Sequence, residues 1–215
     1  MSVLRFLTLI LLFTTLLGAC GRSDLIRIRL LSPIAETKKN HAIFSDSTSV
    51  STSKVTTTDP ESNGASLYFL FKSIGLGYTT ITTKMEKADE KLTEKTTLVT
   101  NFADVAFGIG ENYTFMWGAG VLTGGKWETS LEYESKTFNP KHNYLGGHSL
   151  FFVLGHHGFG FETLLGYRTN SIKAEFEEIN SSHDDIGKTG KDFTYESNII
   201  SLKTSQVQLG IGFTF

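Results

Sequence analysis

The chain has 215 residues, a formal net charge of -2, 20% charged and 40% hydrophobic residues, and a single cysteine. That balance excludes a global basic field for nucleic acid, and one cysteine excludes an intramolecular disulfide. Beyond the N-terminus no run reaches the roughly 18 apolar residues that a membrane-spanning helix needs. Crossing by strands stays open, because a barrel strand needs only every second residue apolar.

Met1 to Leu17 reads as a secretory signal, with Arg5 ahead of an apolar run from Phe6 to Leu17. Leu17-Gly18-Ala19-Cys20 resembles a bacterial lipobox, and the resemblance makes Cys20 an acylated first residue of the mature chain. Ordinary cleavage after Ala19 is the alternative. Either way residues 1–19 are removed and the protein leaves the cytoplasm. With Gly21 following the cysteine, similarity to enterobacterial sorting implies the outer membrane of a Gram-negative bacterium. Residues 20–41 then read as a basic tether near anionic headgroups, carrying Arg22, Arg27, Arg29, Lys38 and Lys39. Ile26, Ile28 and Leu30 alternate with Arg27 and Arg29, which also allows a short strand.

From residue 42 the chain reads as one all-β unit to Phe215. Ser45 to Thr58 is almost all Ser and Thr, a strand facing a polar lumen or a linker. Leu67 to Phe71 is apolar throughout, and Ile74, Leu76 and Tyr78 alternate with Gly75, Gly77 and Thr79; the stretch reads as two strands joined by a turn near Lys72, with one long kinked strand as the alternative. The mixed-charge stretch from Glu86 to Lys95 reads as a loop. Leu98 to Ile109 alternates Val105, Phe107 and Ile109 with Asp104, Ala106 and Gly108. After the compact turn Gly110-Glu111-Asn112, Tyr113, Phe115, Trp117, Ala119 and Val121 alternate with smaller residues. Gly124 to Asn143 reads as a polar excursion, His148 to His156 as a strand, His157-Gly158 as a turn and Phe159 to Thr169 as a strand. Ser171 to Phe193 is the longest insert and is acidic; residues from about Thr194 lead into the last strand.

That last strand has Val207, Leu209, Ile211, Phe213 and Phe215 on one face and Gln, Gly or Thr on the other. It resembles the C-terminal signature of bacterial outer-membrane barrels, which in that family is read by the barrel-assembly machinery. Short connections near Lys72, Glu111 and His157 alternate with long polar ones, as in such barrels. At about 2.5 Å of axial rise per tilted residue, Phe159 and Tyr167 stand about 20 Å apart, near the height of an apolar band. The expected fold is an antiparallel up-and-down transmembrane β-barrel of eight strands, similar to the OmpA and OmpX class of small outer-membrane barrels. The resemblance implies a monomer in contact with outer-membrane lipid and lipopolysaccharide, acting structurally or through its loops.

On the faces assigned to the lumen stand Asp104, Glu162 and Arg168. Eight strands leave a bore that side chains fill, so these three are expected to form one buried charge network that packs the bore, a narrow gated pore or a small-ligand site being the alternative. His156-His157 and His148-Ser149 are adjacent pairs whose members point to opposite sides of a strand, which suits neither chelation nor a dyad. Lipid A deacylases carry His and Ser two apart on one strand, a spacing absent there. Ser181 and His183, with Asp184 beside them, have that separation in reversed order and in an expected loop. No zinc spacing, phosphate loop or dinucleotide fingerprint is present; no cofactor, metal or enzymatic role is expected. The competing reading is a lipid-tethered, soluble lipocalin-like barrel that binds an apolar ligand, with apolar residues inside and polar ones outside.

Overall fold

The computed structural model describes residues 26–38, 44–46, 56–57, 61–88, 92–133, 136–139, 141–158, 161–176, 193–195 and 199–215. Eight long strands form the wall: β1 (Ile26–Lys38), β2 (Glu61–Phe71), β3 (Ile74–Ala88), β4 (Leu92–Gly110), β5 (Tyr113–Tyr133), β6 (His142–Gly158), β7 (Phe161–Phe176) and β8 (Ile199–Thr214). Every strand pairs antiparallel with its neighbours in sequence, and β1 pairs with β8, so the sheet closes on itself. Closure leaves no open edge, the liability of any flat β-sheet. Two backbone hydrogen bonds between Ile26 and Phe215 complete the seam.

Followed from partner to partner, Ile28 leads through Phe69, Leu76, Val105, Ala119, Leu150, Thr169 and Ser205 back to β1 at Thr37. The register therefore climbs around the ring, and strands so staggered must tilt against the barrel axis. The first strand corrects the expectation of a tether for residues 26–38, the described part of 20–41, and of a barrel beginning at 42. Arg27 and Arg29 point inward and are buried, while Ile28 and Leu30 point outward. The alternation was visible, but two arginines on an inward face only make sense once carboxylates lie opposite them. The Ser/Thr-rich segment contributes no wall strand among its described residues; 44–46 pairs with 193–195, and 56–57 pairs with the end of β3.

Several expected loops prove to be strand. β3 and β4 pair through Glu86↔Lys95 to Ala88↔Thr93, within the stretch read as a loop. β5 runs on to Tyr133 and β7 to Phe176, past the starts assigned to the polar excursion and the acidic insert. His157 and Gly158, read as a turn, belong to β6 and pair with Glu162 and Phe161; Phe159 and Gly160 lie outside the described residues. The last strand begins at Ile199. Polar residues are compatible with strand here because the barrel extends past any apolar band.

Inside and outside are inverted relative to a soluble protein. Leu76, Leu150, Leu154, Leu165, Leu209 and Ile211 are about half exposed, whereas Arg29, Glu162 and Arg168 are completely buried. Outward aromatics form their own contacts, Phe115 against Trp117 at 5.3 Å and Phe152 against Tyr167 at 5.4 Å. This distribution opposes the lipocalin-like reading, which requires the greasy face inside.

Candidate functional site

The chemistry of this barrel lies in its bore, where inward residues of all eight strands converge. Arg168 on β7 reaches across to Asp104 on β4, with Nη1 2.9 Å from Oδ2 and Nη2 2.9 Å from Oδ1. This two-pronged geometry is the strong form of a guanidinium–carboxylate pair. The remaining donors of Arg168 are taken up by Tyr68 and Thr79 at 3.1 Å, Ser149 at 2.5 Å and, through Nε, Asn170 at 3.1 Å. Asp104 also accepts from the hydroxyls of Thr79 at 2.7 Å and Tyr68 at 3.2 Å. Phe102 and Phe151 lie against the guanidinium, with ring centroids 4.8 and 5.4 Å from its carbon. Buried charges need such complete satisfaction, since desolvation otherwise outweighs their attraction.

A second pair sits nearer the short-turn end. Arg29 on β1 donates through Nε to Glu162 Oε2 at 2.7 Å and through Nη2 to Oε1 at 2.8 Å, and Nη2 also reaches Thr114 at 2.8 Å. Arg27, one inward position below, donates to the carbonyl of Gly110 at 2.8 Å. Between the two charged tiers lies an apolar one of Leu31, Leu70, Ala106, Met116, Val153 and Leu164. Towards the other end, Glu36 accepts from Thr83 at 2.9 Å and Gln206 at 3.0 Å.

Asp104, Glu162 and Arg168, expected as one network, are therefore placed in two. Asp104 and Arg168 meet, while Glu162 belongs to Arg29. Sequence reasoning missed Arg29 because it lay in the segment read as a tether, and missed Glu36 for the same reason. Tyr68, Thr79 and Ser149 carried no charge to single them out. Small inward residues make room for the pairs: a side chain on Gly120 would run into the Asp104 carboxylate and Ser149, and one on Gly212 would meet Glu162 and Arg29.

Among the described residues the histidines do not gather. His148 and His156 point outward, Ser149 next to His148 is buried on Arg168, and His142 Nδ1 lies 3.0 Å from the Trp127 carbonyl. Among the described residues no group of three or more His, Cys, Asp or Glu is placed to hold a metal ion. Cys20, Ser181, His183 and Asp184 lie outside the described residues. Val207, Leu209, Ile211, Phe213 and Phe215 all face outward.

No family profile matches the chain, and no curated protein matches it. Among solved structures, Neisserial surface protein A (NspA) is similar over 91% of this chain and 100% of its own, at 12% identity and a TM-score of 0.42. The outer membrane protein OprG from Pseudomonas aeruginosa is similar over 91% of this chain and 98% of its own, at 10% identity and a TM-score of 0.44. No helix among the described residues is long and apolar enough to cross a membrane, and strands are not bound by that limit. By its own pairing and by the inversion of its two faces, the chain is an eight-stranded antiparallel up-and-down β-barrel of the transmembrane type.

Proposed function

We propose that this protein is an integral barrel of the outer membrane whose role is structural or a surface interaction made through its long-connection end, without catalysis. One observation carries the reading: the outward face is apolar where the inward face holds arginine–carboxylate pairs. In water an exposed greasy belt of this extent invites association, whereas acyl chains satisfy it. The short two-residue turns Lys72-Ser73 and Glu111-Asn112 lie at one end, the periplasmic end in barrels of this kind. Supporting a filled bore is its layering, two charged tiers built on arginine–carboxylate pairs with an apolar tier between them. An apolar tier across the bore favours a scaffold over a channel. Lipid acylation at Cys20, recognition of the terminal strand by the assembly machinery and a monomeric state belong to the same proposal.

The test is labelling from the membrane phase. In a Cys20→Ser background, Phe161→Cys reacts with a lipid-soluble maleimide and is shielded from a water-soluble one, while Glu162→Cys is shielded from both. Reaction of Glu162→Cys with the water-soluble reagent, together with protection of Phe161→Cys from the lipid-soluble one, overturns the reading. Release of the protein from membranes by alkaline carbonate overturns it as well.

A further inference from the structure

On three strands that rise towards the long-connection end, the same tripeptide pattern recurs with both charges on the outer wall. These are Lys84-Met85-Glu86 on β3, Lys126-Trp127-Glu128 on β5 and Lys173-Ala174-Glu175 on β7. The middle residue faces inward, as alternation requires. On β8, running the other way, Lys203 is the outward residue opposite Ser171.

The register places these lysines at one height. Lys84 pairs with Thr97, whose neighbour Leu98 pairs with Trp127, next to Lys126. Lys173 pairs with Ser201, two residues from Lys203. The ring climbs about one residue per strand, and allowing for this brings Lys84, Lys126, Lys173 and Lys203 level. They stand 11 to 14 residues along their strands from Ser73, Asn112, Phe161 and Phe215 at the short-turn end, or roughly 28–35 Å at an axial rise of about 2.5 Å per residue. Below them the outer wall carries no Lys, Arg, Asp or Glu among the described residues until the turns at Lys72 and Glu111. A short polar band, with Thr80, Thr82, Thr169, Ser171 and Ser205, separates them from the last outward apolar residues, so the lysines are the first outward charges above the apolar belt, at the depth of lipid headgroups. Glu86, Glu128 and Glu175 form a second tier two residues higher, joined there by Lys95, whose Nζ is 4.0 Å from Glu86. Glu61 is the register partner of Lys84.

We infer that this collar is a binding surface for the phosphate groups of a phosphorylated saccharide lipid, the lipid A type, in the leaflet at the long-connection end. The inference rests on the insertion proposed above. Charge complementarity chooses the ligand: lysines at headgroup depth meet phosphates, and carboxylates above them are matched by the divalent cations that bridge such polyanionic headgroups. A glycerophospholipid brings a single phosphate at a single depth and leaves the upper tier without a counterpart. The side chains of the Lys126–Glu128 ion pair are more than half exposed, and exposed pairs of this kind hold little free energy.

The experiment compares the wild-type chain with two quadruple variants at Lys84, Lys126, Lys173 and Lys203, all to Gln and all to Arg. Each is refolded into phosphatidylcholine vesicles containing either lipid A or phosphatidylglycerol at equal phosphate content, with magnesium present. Lipid retained after gentle detergent extraction is counted by native mass spectrometry. The wild type is expected to retain lipid A, the Gln variant about tenfold less, and the Arg variant nearly as much as the wild type. Equal retention by the Gln variant, no retention by the wild type, or equal retention of phosphatidylglycerol overturns the collar. If the wild type is instead stripped from vesicles by carbonate, insertion itself fails, and the two failures are told apart.

Discussion

Arg168 and Asp104 face each other across the bore, each guanidinium nitrogen of the fork 2.9 Å from its own carboxylate oxygen. The pair joins β7 to β4, strands that share no backbone hydrogen bond. It thus ties the two sides of the ring together where the sheet alone cannot. Removing one member leaves the other charged and buried. Arg168→Met and Asp104→Asn are each expected to destabilise the barrel by about 3–5 kcal/mol, and Arg168→Met with Asp104→Leu together by less than the sum. Equilibrium urea unfolding in lipid vesicles measures all three.

Gly120 matters for the space it leaves. An added methyl group meets the Asp104 carboxylate and the Ser149 hydroxyl, both committed to Arg168. Gly120→Ala should cost about 1–3 kcal/mol through overpacking. In an Arg168→Met, Asp104→Leu background, where the polar cluster no longer fixes the neighbours, the cost should change measurably.

The outward belt predicts a depth-dependent response to charge. Leu209 lies about midway between the short-turn end and Lys203 and is about half exposed. Leu209→Arg is expected to destabilise by about 2–4 kcal/mol in a bilayer, while Ser201→Arg, beyond the lysine collar, costs under about 1 kcal/mol. In a water-soluble barrel both would stay within about 0.5 kcal/mol. Parallel unfolding titrations of the two variants separate these cases.

At the hairpin between β2 and β3, Lys72 has a φ of 56°, a left-handed backbone that costs a side chain roughly 1 kcal/mol. Lys72→Gly relieves the strain but widens the unfolded ensemble. Lys72→Asn, tolerant of this conformation and less flexible, is expected to raise stability by about 0.5 kcal/mol, and Lys72→Val to lower it by more than 1 kcal/mol. Both are read from unfolding midpoints.

Alternation alone assigned the faces. Tyr113 to Val121 and Val207 to Phe215 show their outward residues in the sequence, since side chains on a strand can only go to one side or the other. The same rule set Asp104, Glu162 and Arg168 inward before any partner was known. It failed at the ends of strands, as at Glu86, Lys126 and Glu175, where charged residues outside the apolar belt look like loop but still pair as sheet.

What the chain by itself determined, then, is which residues face outward and which face the bore, because that follows from a period of two along each strand. Which bore residues meet was decided only by closure. Arg29 finds Glu162 and Arg168 finds Asp104 because the ring is staggered by the pairing of β1 with β8, a long-range register that no local pattern encodes. A slip of one residue at that seam would turn Arg27 and Arg29 out onto the apolar outer face and leave Glu162 buried without its partner.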